Sequence, residues 1–176
     1  MWCYGSVLFV RWGNLWAMDL ADISTTMDLF RYAAQTPMGS AELARFPELA
    51  SPMDKSLGVR YLYAGADKVE AEVAVTEALV QPWGKAHGGL YATLAESVGS
   101  LLGVLVAGGD LPVVGVNNST NFIRATGSGS TIHAVGTVVT AGKTTQLLRV
   151  TMTSDHQLVA ETSLRTIVLR SVPGGR

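Results

Sequence analysis

Residues 87–109 read HGGLYATLAESVGSLLGVLVAGG, and the architecture of the protein depends on this stretch. Between residues 90 and 107 the chain lacks proline, and Glu96 is the only charged residue. Apolar and small residues occur at every angle around a helix of this length, so we predict one long α-helix that is buried on all of its faces. Gly108 and Gly109 end it, because glycine readily adopts the left-handed backbone found at helix C-termini.

The flanking segments carry the patterns of antiparallel β-strands. Residues 59–64 and 68–76 predict a hairpin, and apolar residues occupy every second position from Val69 to Val75. Four further strands are predicted beyond the helix, at residues 113–123, 131–140, 145–153 and 157–169. One buried helix among consecutive antiparallel strands indicates an α+β protein, in which a curved antiparallel sheet wraps around one long central helix.

The chain has 176 residues, which is enough for one domain with a sizeable core. We assign residues 41–170 to this domain, residues 1–40 to an N-terminal extension outside the core, and residues 171–176 to a C-terminal tail. The apolar run at residues 7–10 is too short for a secretory signal, and it precedes the basic residue Arg11 instead of following it. A membrane-surface anchor is the alternative interpretation of these first residues.

Composition narrows the possible functions. The formal net charge of -1, without a stripe of interleaved aromatic and basic residues, argues against nucleic acid as a partner. Cys3 is the only cysteine and the three histidines lack ligand spacing, so we expect no disulfide, no metal site and a cytoplasmic location. Apolar residues make up 48% of the chain and charged residues 15%, which favours further burial between subunits.

Gly99 and Gly103 form a Gly-x-x-x-Gly pattern in an apolar segment, a pattern that also occurs in membrane-spanning helices. Glu96 lies in the middle of this segment, and strand patterns flank it on both sides. These features favour a buried helix of a globular domain, and we therefore expect no membrane span.

The start of the predicted helix, His87-Gly88-Gly89, has the properties of a ligand site. The first N–H groups of a helix lack intrahelical partners and lie at the positive end of the helix dipole. Glycine also lets a ligand approach the backbone closely. Such a site binds an anion or stabilises an oxyanion that develops on a carbonyl, whereas the alternative for His87 is a capping role alone.

Glu96 lies two turns inside this apolar helix, where a carboxylate is costly unless it is paired or used in chemistry. Ser100 follows four residues later and therefore lies on the same face. A carboxylate beside a hydroxyl can attack a thioester or position a water molecule. The alternatives are a core carboxylate held by partner groups and, for Ser100, a small residue that only packs.

Together, the segments Gln81-Pro82-Trp83-Gly84, His87-Gly88-Gly89 and Leu94-Ala95-Glu96-Ser97-Val98-Gly99-Ser100 resemble the PaaI-like hotdog-fold acyl-CoA thioesterases, a family similar to 4-hydroxybenzoyl-CoA thioesterase. The resemblance covers about residues 53–169. It implies the hotdog fold and the hydrolysis of a thioester to a free acid and coenzyme A, without a cofactor.

The resemblance also implies a role for each matched residue. Gly88 would donate the N–H group that polarises the thioester carbonyl, and Gln81 and His87 would help to orient that carbonyl. Glu96 would act as nucleophile or general base. Ser100 would position the water or the intermediate.

Four further residues are candidates for substrate binding: Gly89, Asn121, Lys143 and Thr144. In the thioesterases that this chain resembles, the turn holding Lys143 and Thr144 often carries a basic residue and hydroxyls near coenzyme A, and a plain solvated hairpin turn is the alternative. The turn does not match a phosphate-binding loop, because Gly136 lies one residue too far upstream and strands flank the turn.

The strand predicted at residues 113–123 departs from the family pattern. Phe122 stands where relatives often carry a histidine, so the resemblance by itself does not identify the substrate of this chain. Asn118 and Asn121 in the same strand either line a pocket or serve only as strand residues.

Two other functions are consistent with the same fold. A dehydratase or hydratase would pair a histidine with an acid to move a proton at carbon, although its motifs place that histidine differently. A protein that binds acyl-CoA without cleaving it is the second alternative. For the leading hypothesis the expected substrate is an acyl-CoA or an acyl-carrier thioester, and the acyl group stays open among aromatic, naphthoyl-type and fatty groups.

Gly88 and Glu96 are eight residues apart, which corresponds to about 12 Å along an α-helix. A reacting carbonyl must lie within roughly 3 Å of both its donor and its attacking group, so one straight helix cannot supply both. A second helix, antiparallel to the first, would bring its own Glu96 opposite Gly88. We therefore predict a homodimer with two shared sites, which pairs again into a tetramer.

Overall fold

The computed structural model describes residues 18–170, which form a seven-stranded antiparallel sheet and four α-helices. The helices are α1 (Thr26–Gln35), α2 (Ser40–Leu43), α3 (Pro52–Leu57) and α4 (Gly88–Val106). The strands are β1 (Met38–Gly39), β2 (Arg60–Ala64), β3 (Lys68–Ala74), β4 (Val113–Phe122), β5 (Thr131–Ala141), β6 (Thr145–Ser154) and β7 (Gln157–Val168). Short 3₁₀ helices lie at Leu20–Asp22, Pro47–Leu49 and Glu77–Leu79. The predicted long helix, the hairpin and the four later strands are confirmed.

The strands are ordered β1-β2-β3-β5-β6-β7-β4, and every neighbouring pair is antiparallel. The register shifts in the pairing of β4 with β7 between Gly115 and Asn117, and in the pairing of β5 with β6 between Val138 and Thr140. Such irregularities bend strands and increase their twist, which helps the sheet to curve around α4. Although β4 follows α4 directly in the chain, it lies at the edge of the sheet, beyond β7.

Helix α4 packs on the concave face of the sheet, against β3 to β7. Its buried residues are Leu90, Tyr91, Leu94, Ala95, Val98, Gly99, Leu101, Leu102, Gly103 and Leu105. The prediction that it is buried on all faces is wrong for one stripe, because Ala92, Thr93, Glu96, Ser97 and Ser100 are only half-buried. These residues recur every three to four positions, so they form a single face of the helix. That face lines a cavity, which the small side chains leave open.

The glycines of α4 allow the helix to approach the sheet closely. A Cβ atom at Gly103 would lie 2.7 Å from Gln146 Oε1 and 3.0 Å from Val113 Cγ1. The buried Gln146 side chain donates a hydrogen bond of 3.0 Å to the Gly103 carbonyl and accepts one of 2.8 Å from Thr166. The Gly-x-x-x-Gly pattern therefore serves the packing of helix on sheet. By length and composition α4 could cross a membrane, but 56% of its most apolar window is buried inside the molecule.

Replacing Gly103 with alanine should destabilise the protein by up to about 2 kcal/mol, because crowding in a packed core costs roughly 1–3 kcal/mol and the gain in helix propensity offsets about 1 kcal/mol of it. The midpoint of urea unfolding measures the change. Gly127→Ala is the matched control, since the nearest atom to a Cβ at that position lies 4.0 Å away. An unfolding midpoint for Gly103→Ala equal to that of Gly127→Ala would contradict the close-packing argument.

The assignment of residues 1–40 to an extension outside the core is wrong for the part that the structure describes. Leu29 and Ala33 of α1 and Met38 of β1 are almost completely buried in the main apolar core. Helix α1 packs on α4, and β1 pairs with β2. Pro37 and Pro47 divide this segment into short pieces, and such pieces are too short to be stable without tertiary contacts, so their pattern did not predict this packing. Residues 1–17 and the predicted tail at 171–176 lie outside the described residues.

Candidate active site

Helix α4 begins with a free backbone donor at Gly88. The imidazole of His87, which caps the helix, accepts the N–H of Gly89 through Nδ1 at 2.9 Å. A neutral His87 therefore carries its proton on Nε2. The Gly88 N–H has no hydrogen-bond partner among residues 18–170. Of the two glycines, Gly88 is thus the one whose N–H is available to a carbonyl oxygen.

The loop before α4 places Gln81 beside the same cavity as Gly88. It closes through bonds from Gln81 N to Lys85 O (2.8 Å) and from Gly84 N to Gln81 O (2.9 Å), with Gly84 at a φ of 70° that suits glycine. Gln81 and Gly88 both line a cavity of about 350 Å³, called here the glycine cavity. Its other lining residues are Lys85, Ala86, Tyr91, Phe122, Ile123, Arg124 and Ala125. His87 lines a neighbouring cavity together with Gly89.

The ring of Phe122 covers the start of α4, a contact that no sequence pattern predicts. It lies against Gly88, such that a Cβ atom there would be 2.9 Å from Phe122 Cζ. The ring also contacts Tyr91, with centroids 5.8 Å apart. Tyr91 is 3% exposed, and its hydroxyl has no hydrogen-bond partner within the described part of the chain. The glycine cavity therefore has an aromatic wall formed by these two side chains.

Glu96 lies against the edge strand β4. Its Oε2 accepts a hydrogen bond of 2.9 Å from Asn118 Nδ2, and its Oε1 lies 3.4 Å from the Ser100 hydroxyl, a long and weak contact. A Cβ atom at Gly115 would overlap Glu96 Oε1, so a larger residue at this position would force the carboxylate to move. Ser100 lies beside Glu96, as the spacing of four residues predicts. No sequence pattern predicts that Asn118 and Gly115 contact Glu96.

Glu96 and Ser100 line a second cavity of about 690 Å³, called here the acid cavity. The apolar lining residues are Phe30, Leu49, Met53, Ala92, Leu101 and Val104. The polar lining residues are Ser51, Asp54, Tyr61, Thr93, Ser97 and Asn118. A cavity of this size, with apolar surface and the Glu96 carboxylate in its wall, suits the acyl part of an ester or thioester. The N-terminal segment, first assigned outside the core, therefore supplies part of the site.

A second acid, Asp54, lies in the wall of the acid cavity. Only 3% of it is exposed, and its oxygens accept hydrogen bonds from the Ser97 hydroxyl, the Ser51 backbone (2.9 Å) and the Tyr61 hydroxyl (3.4 Å). Burial, and to a smaller extent the nearby Asp54, raises the pKa of the Tyr61 hydroxyl well above its usual value. Because its oxygens are all engaged, we interpret Asp54 as the group that ties α3 and β2 to α4.

The two cavities share no lining residue. Gly88 and Glu96 belong to one continuous helix, and their separation along it is about 12 Å. Within one chain the backbone donor and the carboxylate therefore face different spaces. Strand β4 contacts both groups, with Phe122 beside Gly88 and Asn118 beside Glu96. Among residues 18–170 this strand is paired on one side only.

The edge strand carries exposed apolar side chains. Val114 is 41% exposed, Val116 48%, Phe122 60% and Ile123 50%. Edge strands with exposed apolar residues promote association with another chain, and natural monomers usually protect such edges with charge or proline. This edge lies beside both Gly88 and Glu96.

The remaining substrate-binding candidates do not line the glycine cavity of the same chain. Lys143 and Thr144 form the β5–β6 turn, and the Thr144 carbonyl accepts a hydrogen bond of 2.9 Å from the Val168 N–H. The turn lies near the C-terminal half of α4, where Gln146 contacts Gly103. Asn121 is opposite the half-exposed Glu161, on the face of β4 that points away from the helix. Their assignment as substrate-binding residues stays a prediction. The cations that line the glycine cavity are Lys85 and Arg124.

No three His, Cys, Asp or Glu side chains within residues 18–170 cluster as metal ligands would. The chemical groups assembled at the two cavities are a carboxylate, hydroxyls, amides, an imidazole and a backbone donor. With water as co-substrate, these groups are sufficient for acyl transfer.

Comparison with known proteins gives one consistent result. Residues 84–161 match the thioesterase superfamily. A Mycobacterium tuberculosis protein named as a candidate esterase is 34% identical over 128 residues, which cover 69% of this chain and 89% of that protein. The 1,4-dihydroxy-2-naphthoyl-CoA thioesterase 2 of Arabidopsis thaliana is 31% identical over 120 residues, which cover 64% of this chain and 76% of that enzyme.

Solved structures agree with the sequence relatives. A Haemophilus influenzae thioesterase superposes with a TM-score of 0.69 at 27% identity, over 79% of this chain and 96% of that chain. A variant of the phenylacetic acid degradation protein PaaI from Thermus thermophilus superposes with a TM-score of 0.63 at 25% identity, over 68% of this chain and 100% of that chain. These superpositions confirm the predicted hotdog fold and the resemblance to PaaI-like proteins.

Proposed function

This chain belongs to the thioesterase superfamily, and from that membership we propose that it cleaves an acyl-CoA or acyl-carrier thioester into a free acid and a thiol, through Glu96. As a member of this superfamily it is a thioester hydrolase. The observation that carries the assignment of Glu96 is the position of its carboxylate in the wall of the acid cavity, which is otherwise largely apolar.

The proposed site is completed by a second chain. Gly88, with Gln81 and His87, holds the thioester carbonyl on one subunit, and Glu96 with Ser100 comes from its partner. The separation of about 12 Å along α4 and the two separate cavities support this arrangement. The exposed apolar side chains of β4 offer a surface for the partner, and a twofold axis then creates two identical sites.

Two chemical paths use these groups. In the first, a Glu96 oxygen attacks the carbonyl carbon, the C–S bond breaks, the thiolate leaves and takes up a proton, and water then hydrolyses the mixed anhydride. In the second, Glu96 removes a proton from a water molecule that attacks the carbonyl carbon directly. In both, the negative charge that develops on the carbonyl oxygen is stabilised by the Gly88 N–H at the positive end of α4.

The apolar walls of the acid cavity favour an acyl group with little charge. Aromatic, naphthoyl-type and medium-chain fatty groups satisfy this requirement, and the name of the Arabidopsis relative makes 1,4-dihydroxy-2-naphthoyl-CoA a necessary member of any test panel. Coenzyme A contacts are proposed at Lys143 and Thr144 and, for the glycine cavity, at Lys85 and Arg124. A cytoplasmic location and the pairing of dimers into tetramers also belong to the proposal.

The direct test mixes the purified protein with a panel of aromatic, naphthoyl and fatty acyl-CoAs and follows the release of free thiol. We expect saturable hydrolysis of at least one substrate class, ranked by kcat/KM. Binding without thiol release would instead support an acyl-CoA-binding protein. A change in enoyl absorbance without thiol release would support a hydratase or dehydratase.

A further inference from the structure

Asn118 of β4 holds the Glu96 carboxylate through a set of oriented contacts. Its Nδ2 group donates to Glu96 Oε2 at 2.9 Å and to the Ala92 carbonyl at 3.0 Å. Its Oδ1 atom accepts a hydrogen bond of 2.8 Å from the Thr120 hydroxyl. Both ends of the side-chain amide are therefore engaged, one by α4 and the other by β4.

The hydroxyl pair behind Asn118 determines which way its amide faces. Thr120 Oγ1 also lies 2.8 Å from Thr162 Oγ1 on β7, and Thr162 is completely buried. A hydroxyl has one proton to donate, so when Thr120 donates to Asn118 Oδ1, Thr162 must donate to Thr120. The resulting chain, Thr162 to Thr120 to Asn118 to Glu96, directs the NH₂ group of the amide at the carboxylate.

We propose that Asn118 is a positioning residue for the reaction, which fixes Glu96 Oε2 and leaves Oε1 as the oxygen that attacks or accepts the proton. This inference rests on the proposed function of Glu96. Oε1 lies in the space left by the missing side chain of Gly115, beside the Ser100 hydroxyl and in the wall of the acid cavity. A charge-assisted bond to one oxygen lowers the number of orientations that the carboxylate samples before reaction.

A purely structural role explains these contacts less well. Asn118 is exposed in the single chain and lies on an edge strand that pairs with β7 from Val113 to Phe122, apart from the irregularity at Val116. Asn117 on the same strand makes no side-chain hydrogen bond among residues 18–170. Losing one exposed amide from such a strand should cost the fold little.

Asn118→Ala should lower kcat by about 10- to 100-fold, the range expected for losing a hydrogen bond to a charged group, while KM changes by less than about twofold. We expect kcat to change more than KM because both ends of the Asn118 amide are engaged by protein groups, so that Asn118 affects the reaction through Glu96. Asn117→Ala is the matched control and should keep the wild-type kcat. Circular dichroism and solution mass check that both variants keep their fold and assembly.

Thr120→Val tests the orientation of the amide. It removes the hydroxyl with little change of shape, and we expect kcat to fall by about threefold to tenfold because the amide loses its fixed direction. Combined with Asn118→Ala, it should cause no further loss, since both changes act along the same chain of hydrogen bonds. Independent, additive losses would overturn the proposed relay.

Gly115→Ala tests the other side of the carboxylate. Its methyl group would occupy the position of Glu96 Oε1, so Glu96 must turn away and kcat should fall by at least about tenfold. If Asn118→Ala fails to fold, the kcat values of Gly115→Ala and Thr120→Val test the proposal instead. Wild-type kcat in a folded Asn118→Ala protein, while Glu96→Ala is inactive, would overturn the positioning role alone. An active Glu96→Ala protein would instead overturn the proposed function.

Discussion

Glu96→Gln is expected to lower kcat by about 10²- to 10⁴-fold, the range typical for loss of a catalytic acid or base. Glutamine keeps the shape of the side chain, and its oxygen can still accept the bond from Asn118, so the acid cavity and the substrate affinity should be preserved. The amide neither attacks the thioester nor accepts a proton near neutral pH. The loss should therefore appear in kcat, with KM little changed.

Thiol release under saturating acyl-CoA measures this effect, and Glu77→Gln on the surface is the control. Glu96→Ala should be equally inactive and keep its fold, because removing a half-buried carboxylate costs little stability when its partners can reach water. Wild-type rates in either folded variant would exclude Glu96 from the reaction.

The two chemical paths predict different fates for isotope-labelled water. If Glu96 forms an anhydride, hydrolysis at the Glu96 carbonyl places label in the Glu96 carboxylate of wild-type enzyme under single-turnover conditions. If Glu96 is a general base, the label appears in the released acid only. Label in the peptide that contains Glu96, measured by mass spectrometry, therefore establishes the anhydride path, whereas label in the acid alone also arises when water opens an anhydride at its acyl carbonyl.

Mixed dimers of two inactive chains are expected to regain activity. Glu96→Ala removes the carboxylate, and Gly88→Val places a branched side chain where the carbonyl should bind. When each site takes Gly88 from one chain and Glu96 from the other, a mixed dimer has one site with both defects and one with neither. Its activity should be about half that of a wild-type dimer.

Two affinity tags on the co-refolded chains allow the mixed dimers to be isolated and weighed. Co-refolding Glu96→Ala with Glu96→Gln is the control, since both chains then lack the carboxylate and every site stays inactive. Mixed dimers of the correct mass that remain as inactive as their parents would show that the site is formed within one chain.

Local patterns were sufficient for the secondary structure of the core. A helix was predicted over residues 90–107 and is observed at Gly88–Val106, and a strand predicted over 157–169 is observed at Gln157–Val168. These predictions succeed because the 3.6-residue and two-residue repeats of apolar positions reflect the geometry of each element alone. Glycine and turn residues mark the ends.

Which residues are buried could be learned only from the tertiary structure. The sequence predicted a helix buried on all sides, yet Glu96 and Ser100 face an open cavity. Leu29 of α1 was placed outside the core and is completely buried. The sequence of α1 shows only that one face of it is apolar. Its packing on α4 depends on the path of the more than 50 residues between the two helices, which local patterns do not determine.

Gly88 and Glu96 could be proposed as site residues from the sequence, because they lie in one short motif whose helical geometry is local. Asn118 could be offered as a pocket residue, and it does line the acid cavity. Its bond to Glu96 and the contacts of Gly115 and Phe122 with α4 could not be predicted, since they depend on the position of β4 at the sheet edge and on its register with β7. Strand order is a non-local property: β4 crosses from the end of α4 to the far side of β7, and no periodicity along the chain encodes that neighbour.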